Sequence, residues 1–575
     1  MEERSEAKSC QNCKKDFTIE PDGFAFYEKM KVPAPTWCPK CRAQRRLAWR
    51  DFRVLYKRKS DWSGETIFSI IHPDSPYKVY EKDIWFSDKW DPMEYEKDYD
   101  FSKPFFEQLR ELSLKVPRAS QTMWYDENSD YCSGATGLKN CYLTFVVTWG
   151  EDCMYSAWAN NIKNCIDTTR LQFSEYCYES FYVVKSSKVF FSTDCEDCVD
   201  IWFSKNLQGC MNCIGCVNLR NKQYHIFNQP YSKEEYKKKF AEFDFGSAKN
   251  VEAFKEKVED IFSKSIVRFA HGKHNFNISG EYINNSKNVR DSYYVQNGED
   301  CRYIQYMITP TTKDAMDVSL YGQNIELIYE VSSCGEECSN IKLSYRVTKA
   351  AHNCTYCMLC NSSSNLFGCV GLQQKQYCIF NKQYTRKEYE ELVPKIIKHM
   401  DEMPYVDVKG RTYKYGEFFP PELAPFAYNE TVAADDFPIT KQQALDQGFR
   451  WQEAGQKDYK VTLESEKLSD NIKDVTDDIL KETMGCAHKG ECACRCTTAF
   501  KITKQELDFY RFHKLPIPHL CHNCRHVRRV KNQSSMRLWH RKCMNEGCNN
   551  EFETSYAPDR SEIVYCEQCY QQEII

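Results

Sequence analysis

Lys139-Asn140-Cys141-Tyr142, Glu151-Asp152-Cys153 and Lys163-Asn164-Cys165-Ile166-Asp167 are three settings of one phrase in close succession. Each reads as a polar turn ending in Asn or Asp, then a small or apolar residue, then an alternating aromatic stretch. That is a turn followed by a short strand. Glu175-Tyr176 continues the series, and a second series follows: Lys287-Asn288-Val289, Glu299-Asp300-Cys301, Lys313-Asp314-Ala315-Met316-Asp317, Glu326-Leu327, Asn340-Ile341 and Asn353-Cys354. The units recur at roughly nine to fourteen residues, and fixed short periods predict stacked rungs that cannot bury a face without neighbours. The expectation is a duplicated short-repeat β-solenoid, with one or two units per coil left open.

Both series close alike. Gly215-Cys216-Val217-Asn218-Leu219 leads to Lys222-Gln223-Tyr224 and Ile226-Phe227-Asn228; its twin is Gly368-Cys369-Val370-Gly371-Leu372, Lys375-Gln376-Tyr377 and Ile379-Phe380-Asn381. Capping boxes follow, Ser232 with Glu235 and Thr385 with Glu388, predicting helical caps over about 233–267 and 386–402. Such caps would cover the open end of a β-stack. Cys210-x2-Cys213-x2-Cys216 and Cys354-x2-Cys357-x2-Cys360 have the spacing of iron–sulfur ligands, but no Pro follows. The favoured reading is small thiols stacked inside successive rungs.

Outside the repeats, the two ends of the chain copy one another. Cys10-x2-Cys13, Phe17, Phe26-Tyr27, Pro33, Pro35, Cys38-x2-Cys41-Arg42 and Arg45-Arg46 return, at an offset of 483, as Cys496, Phe500, Phe509-Tyr510, Pro516, Pro518, Cys521-x2-Cys524-Arg525 and Arg528-Arg529. Two thiolate knuckles suit a tetrahedral zinc, and a helix beginning at the second knuckle marks a treble clef. The first site is Cys10, Cys13, Cys38 and Cys41. The second is read as Cys494, Cys496, Cys521 and Cys524, with Cys492 and Cys486 open as alternatives to Cys494. A further ribbon is Cys543, Cys548, Cys566 and Cys569. Its N-terminal counterpart carries Ser60, Glu81 and Ile84 where ligands are needed, so it is expected to hold its shape through Trp62, Trp85, Phe86 and Trp90. The cofactor expectation is about three Zn2+ ions.

The expected organisation is multidomain and mainly β. It runs as a zinc ribbon or treble clef (1–54), a metal-free ribbon (55–100), a helical linker (101–127), solenoid half one (128–231), a helical cap (232–275), solenoid half two (276–384), a second cap (385–404), a Pro-rich connector (405–467), a helix over about 468–484 leading into a treble clef (468–535), and a last ribbon (536–575). Cys10 to Arg46, Phe86-Ser87-Asp88-Lys89-Trp90-Asp91, the paired Lys-Gln-Tyr phrases and Tyr428-Asn429-Glu430-Thr431 are similar to an uncharacterised family of multi-zinc-ribbon proteins from small-genome candidate-phyla bacteria. The resemblance spans nearly the whole chain and implies zinc ribbons. Ser60, Glu81 and Ile84 depart from a four-ribbon pattern.

The chain's 575 residues include 32 cysteines, and its net charge is −4. Such a balance gives no global pull to polyanions. Met1 to Ser9 is too polar for a signal-peptide core, and no apolar run of about 18 residues suggests a membrane span. Reduced thiols and a cytoplasmic location are expected. Arg42, Arg45, Arg46, Arg525, Arg528 and Arg529 follow the second knuckles at helical spacing and form a candidate contact for RNA, DNA or a ribonucleoprotein. The competing reading is a protein–protein scaffold with ribbons as docking ends. An enzyme ranks below both, because no HExxH helix, P-loop or nucleophile elbow is present. Asp152, Asp167, Glu179, Asp300, Asp317 and Glu330 would line a carbohydrate-cleaving groove, though at repeat positions such residues more often cap turns.

Overall fold

The computed structural model describes residues 5–308, 311–453, 455, 460–531, 533 and 536–574. Its centre holds two large sheets, of 13 and 12 strands. The first runs from Met123–Trp124 to Gln229–Pro230 and the second from Gly272–Lys273 to Lys382–Gln383. Both are parallel until a closing antiparallel pair, Ile226 with Gln229 and Ile379 with Lys382. In the first sheet Ala157 pairs with Thr169, Ile166 with Tyr178 and Val199 with Met211, a step of 12 residues each time. The second sheet is less regular: Lys287 pairs with Glu299, Gly298 with Thr312 and Ile328 with Ile341. The repeating step is thus 12 residues, shortened to 11 where the second sheet begins, as at Phe276 with Lys287, and lengthened further on to 13 or 14.

Within each step the backbone follows a period of three. Every third residue from Gly134 to Phe227 has a positive φ, among them Asn140, Asp152, Asn164 and Asp167. Asn, Asp and Gly tolerate that left-handed region best, which accounts for the Asn or Asp that ends the polar turn in each repeated phrase. The next residue faces inward, and these positions form one buried cluster containing Cys141, Cys153, Cys165, Cys177, Val183 and Val189. A tight corner leaves little room, so the inward residues are mostly small. Cys165 donates from Sγ to the carbonyls of Lys163 (3.3 Å) and Ser174 (3.7 Å). Ser180 does the same to Tyr178 (2.9 Å) and Val189 (3.0 Å). Cys210, Cys213 and Cys216 belong to the same interior series, as do Cys354, Cys357 and Cys360 in the second sheet. A corner at every third residue takes the place of the two-residue alternation expected of ordinary strands.

The sheets meet through side chains on left-handed residues. Trp158 stacks on Tyr306 at 4.5 Å, Tyr182 lies 4.1 Å from Tyr282, and the Arg170 guanidinium sits 3.7 Å over the Tyr294 ring. Both capping boxes form, opening helices Lys233–Glu242 and Arg386–Glu402. The first cap differs from expectation in being two helices, the second spanning Ala248–Ser263. The helix expected over 468–484 is also replaced, by short 3-10 turns at Ile472–Asp474 and Asp477–Lys481. Asp470 uses its carbonyl to receive the Ala248 amide, and Asn471 caps Lys473. Local side-chain bonds and backbone bonds to distant segments compete with helix formation in this way. Among the described residues no helix is long and apolar enough to cross a membrane.

Candidate metal centres and the arginine clamps

Cys10 and Cys13 lie at the turn of a hairpin, Glu6–Ser9 with Asp16–Ile19, while Cys38 caps the helix Pro39–Leu47 and Cys41 lies in its first turn. A helix start presents unpaired amides and positive potential, which favours thiolate over thiol. The four sulfurs lie within 4.8 Å of one another, with Cys13 and Cys38 3.8 Å apart. Zinc bonded to four sulfurs at about 2.3 Å separates them by about 3.8 Å, so the quartet fits the ion. The Cys38 amide donates to Cys10 Sγ (3.2 Å) and Asn12 donates to Cys41 Sγ (3.4 Å), orienting both sulfurs. Hydrogen bonds from Cys38 and Cys41 hold Cys10 far below the usual thiol range, and donating those bonds raises both partners.

The C-terminal copy corrects one ligand. Cys486, rather than Cys494, joins Cys496, Cys521 and Cys524 in the buried quartet. Cys486 receives the Cys521 amide at 3.2 Å, as Cys10 receives that of Cys38. Its sulfur is 3.9 Å from Cys524, and Cys496 is 3.9 Å from Cys521. The offset of 483 between the two fingers does not extend to Cys486, because seven extra residues separate it from Cys496. Cys492 and Cys494 lie in that insertion and form another group with His488 and Cys524. His488 was not foreseen at all. The last quartet is as expected: Cys543, Cys548, Cys566 and Cys569 gather where the hairpin Trp539–Lys542/Glu551–Thr554 meets the helix Glu567–Ile574. Burial raises Cys566, but the Asn550 amide and neighbouring sulfurs bring it down to about 6. In the N-terminal counterpart, Ser60 Oγ donates to Glu81 at 2.6 Å and Ser63 donates to the same carboxylate, joining the positions that ligands would occupy. Trp62 packs edge-on against Tyr80, and Trp90 donates to the Trp85 carbonyl at 2.9 Å.

The candidate nucleic-acid arginines have other partners. Arg42, Arg45 and Arg46 are enclosed: Arg42 and Arg46 each reach Asp317 at 2.8 Å, and Arg45 reaches Glu330 at 2.6 Å. The C-terminal set repeats this on the first sheet. Arg525 lies 2.7 Å from Asp167 and Arg529 2.8 Å from it, while Arg528 is 2.7 Å from Glu179. Even the supporting contacts repeat. Arg42 lies over Tyr303 and donates to the Trp37 carbonyl at 2.7 Å; Arg525 lies over Tyr155 and donates to the Leu520 carbonyl at 2.8 Å. Five of the six arginines are buried against carboxylates, and Arg528, with its side chain 37% exposed, is doubly paired with Glu179 and Glu252. These six side chains are therefore engaged within the chain and do not form the free basic face expected for nucleic-acid contact. Asp167, Glu179, Asp317 and Glu330 are left-handed residues, each pair on consecutive steps, and all four are held by these arginines. Burial would raise Glu179, yet Arg528 and Lys255 hold it well below the usual carboxylate range. Sequence reasoning missed these acceptors, although duplicated arginines called for duplicated acids, and Asp-x11-Glu (167, 179) echoes Asp-x12-Glu (317, 330).

The attachment is crossed. The N-terminal finger grips the second sheet and the C-terminal finger the first. The ribbons do the reverse: Val79–Tyr80 pairs with Arg118–Ala119, which leads into the first sheet, and Ile563–Tyr565 pairs with Ile266–Arg268, which leads into the second.

No family model matches the chain, and no curated protein matches it. Among solved structures it is similar to a crystal structure of a candidate acetyltransferase from Desulfovibrio desulfuricans G20, at 9% identity and a TM-score of 0.10, covering 51% of this chain and 86% of that one. A score that low carries no argument about fold or activity.

Proposed function

We propose that this chain is a zinc-dependent scaffold of a reducing compartment, a duplicated β-solenoid that binds protein partners. The observation behind this reading is the crossed clamp. Each metal-held finger helix turns its arginines inward onto a sheet, so the metal serves architecture. Four thiolates around zinc leave no position open for activating water, which argues against hydrolytic chemistry there. All 32 cysteines are free of disulfides, in keeping with a cytoplasmic location. The parallel step of 12 residues, with its left-handed corners, agrees with a solenoid coil of one 12-residue unit. The resemblance to multi-zinc-ribbon proteins agrees with the metal assignment. A protein partner is favoured by Trp149 and Phe173, both 53% exposed on left-handed corners of the first sheet.

The test is metal analysis with a binding assay. Purified protein should carry zinc, show no visible chromophore, and leave mixed RNA and duplex DNA unshifted at low salt. A salt-sensitive shift abolished by Arg528→Glu would restore the nucleic-acid reading. An iron charge-transfer band would replace zinc with another metal.

A further inference from the structure

We infer that the C-terminal finger holds two zinc ions bridged by the Cys524 thiolate. This rests on the zinc reading above and extends it from three ions to four. One group is Cys486, Cys496, Cys521 and Cys524; the other is His488, Cys492, Cys494 and Cys524, and within each group every donor atom lies within 4.8 Å of the others. Cys524 stands 3.5 Å from Cys521, 3.9 Å from Cys486 and 3.6 Å from Cys492, so its sulfur is at a tetrahedral-edge distance from donors of both groups. Two tetrahedra sharing one corner need seven donors, and six thiolates with one imidazole are present.

The chain's own duplication isolates what is special here. The N-terminal finger makes the same fold with two residues between Cys10 and Cys13. The C-terminal finger has nine between Cys486 and Cys496, and that enlarged loop supplies His488, Cys492 and Cys494. The loop is shaped rather than loose: Lys489 and Glu491 donate backbone bonds to Cys486 and His488, both at 2.8 Å, and Arg495 anchors it to the carbonyls of Phe52 and Asn429. Charge supports double occupancy. The second ion brings two positive charges and adds two thiolates with a neutral imidazole. The cluster therefore keeps the net charge of a single four-thiolate site, and no further buried charge has to be compensated.

Zinc content by mass spectrometry tests this on the full chain, with 113Cd exchanged for zinc as a second readout. Four ions per chain are expected, falling to three in Cys492→Ser/Cys494→Ser. Two cadmium resonances should show scalar coupling through the shared sulfur and lose it in that double variant. Three ions in the parent, unchanged in the double variant and with no coupled cadmium pair, would overturn the bridge while leaving the three quartets intact. Fewer than three would overturn the zinc reading itself. The double variant leaves the Cys486 quartet complete, so a folding failure of Cys524→Ser does not blunt the test.

Discussion

Arg525 meets Asp167 at 2.7 Å inside the protein, gripping the first sheet with a helix that begins at Cys521. Arg42 and Asp317 make the same contact at 2.8 Å on the second sheet. Carboxylates at a fully buried corner need a partner, because an uncompensated charge there is expensive. Folding of sheet and finger is consequently linked, and a metal bound by the cysteines at the start of the finger helix would add to the sheet's own stability.

Truncating one side of this contact should be severe. Arg525→Ala leaves Asp167 with Arg529 alone and is expected to cost about 3–5 kcal/mol, the range for breaking a buried pair. Thermal unfolding and native-state hydrogen exchange over 166–184 would report it. Combining it with Asp167→Ala should cost less than the sum of the two single changes, since the orphaned charge is removed as well. Full additivity would mean that the pair does not couple finger to sheet.

Glu506 makes stability depend on pH. Burial lifts its carboxyl from 4.5 to about 7, more than Arg525 lowers it. Between those values the folded chain keeps a proton that the unfolded chain has lost. Its contribution is therefore favourable at low pH and declines as pH rises from about 4.5 to 7. Glu506→Gln keeps the shape and cannot ionise. Relative to the parent, the variant should gain up to about 3 kcal/mol across that window, measured by chemical denaturation at a series of pH values. Parallel curves for the two proteins would refute the assignment.

The interior cysteines should accept serine and refuse bulk. Cys177 and Ser180 occupy successive inward positions, and both donate to the carbonyl two residues back, at 3.4 and 2.9 Å. Cys177→Ser is expected to lower stability by no more than about 1.5 kcal/mol, the net worth of a hydrogen bond gained or lost. Cys177→Leu inserts volume into a closed corner and should cost about 1–3 kcal/mol or more. Differential scanning calorimetry of both variants decides; equal costs would show that packing space at the corner is not limiting.

Much of this was legible in the chain. The duplications, two complete cysteine quartets and both capping boxes could be read from spacing alone, because each depends on a local, fixed arrangement. The Asn-Cys phrases located the repeats but hid their geometry. A corner at every third residue admits Tyr, Trp, Arg and Lys as well as Asn, so the left-handed positions carry no single residue signature. Cys486 stands only as an alternative to Cys494 in the sequence, because the enlarged loop breaks the match between the two fingers at that point. The arginines were misread for a different reason: their partners Asp167 and Asp317 lie hundreds of residues away, and helical spacing states which face they share without stating what covers it.

The crossed attachment is tested most directly by hydrogen exchange after disabling one finger at a time. Cys521→Ser should loosen Ile166–Glu175 and Tyr178–Val184 in the first sheet while Thr312–Ser319 and Ile325–Ser332 keep their protection. Cys38→Ser should do the opposite, exposing the second sheet and sparing the first. If each variant instead loosened only its own finger, with both sheets unchanged, the metal-held helices would not be clamps and the account would be wrong.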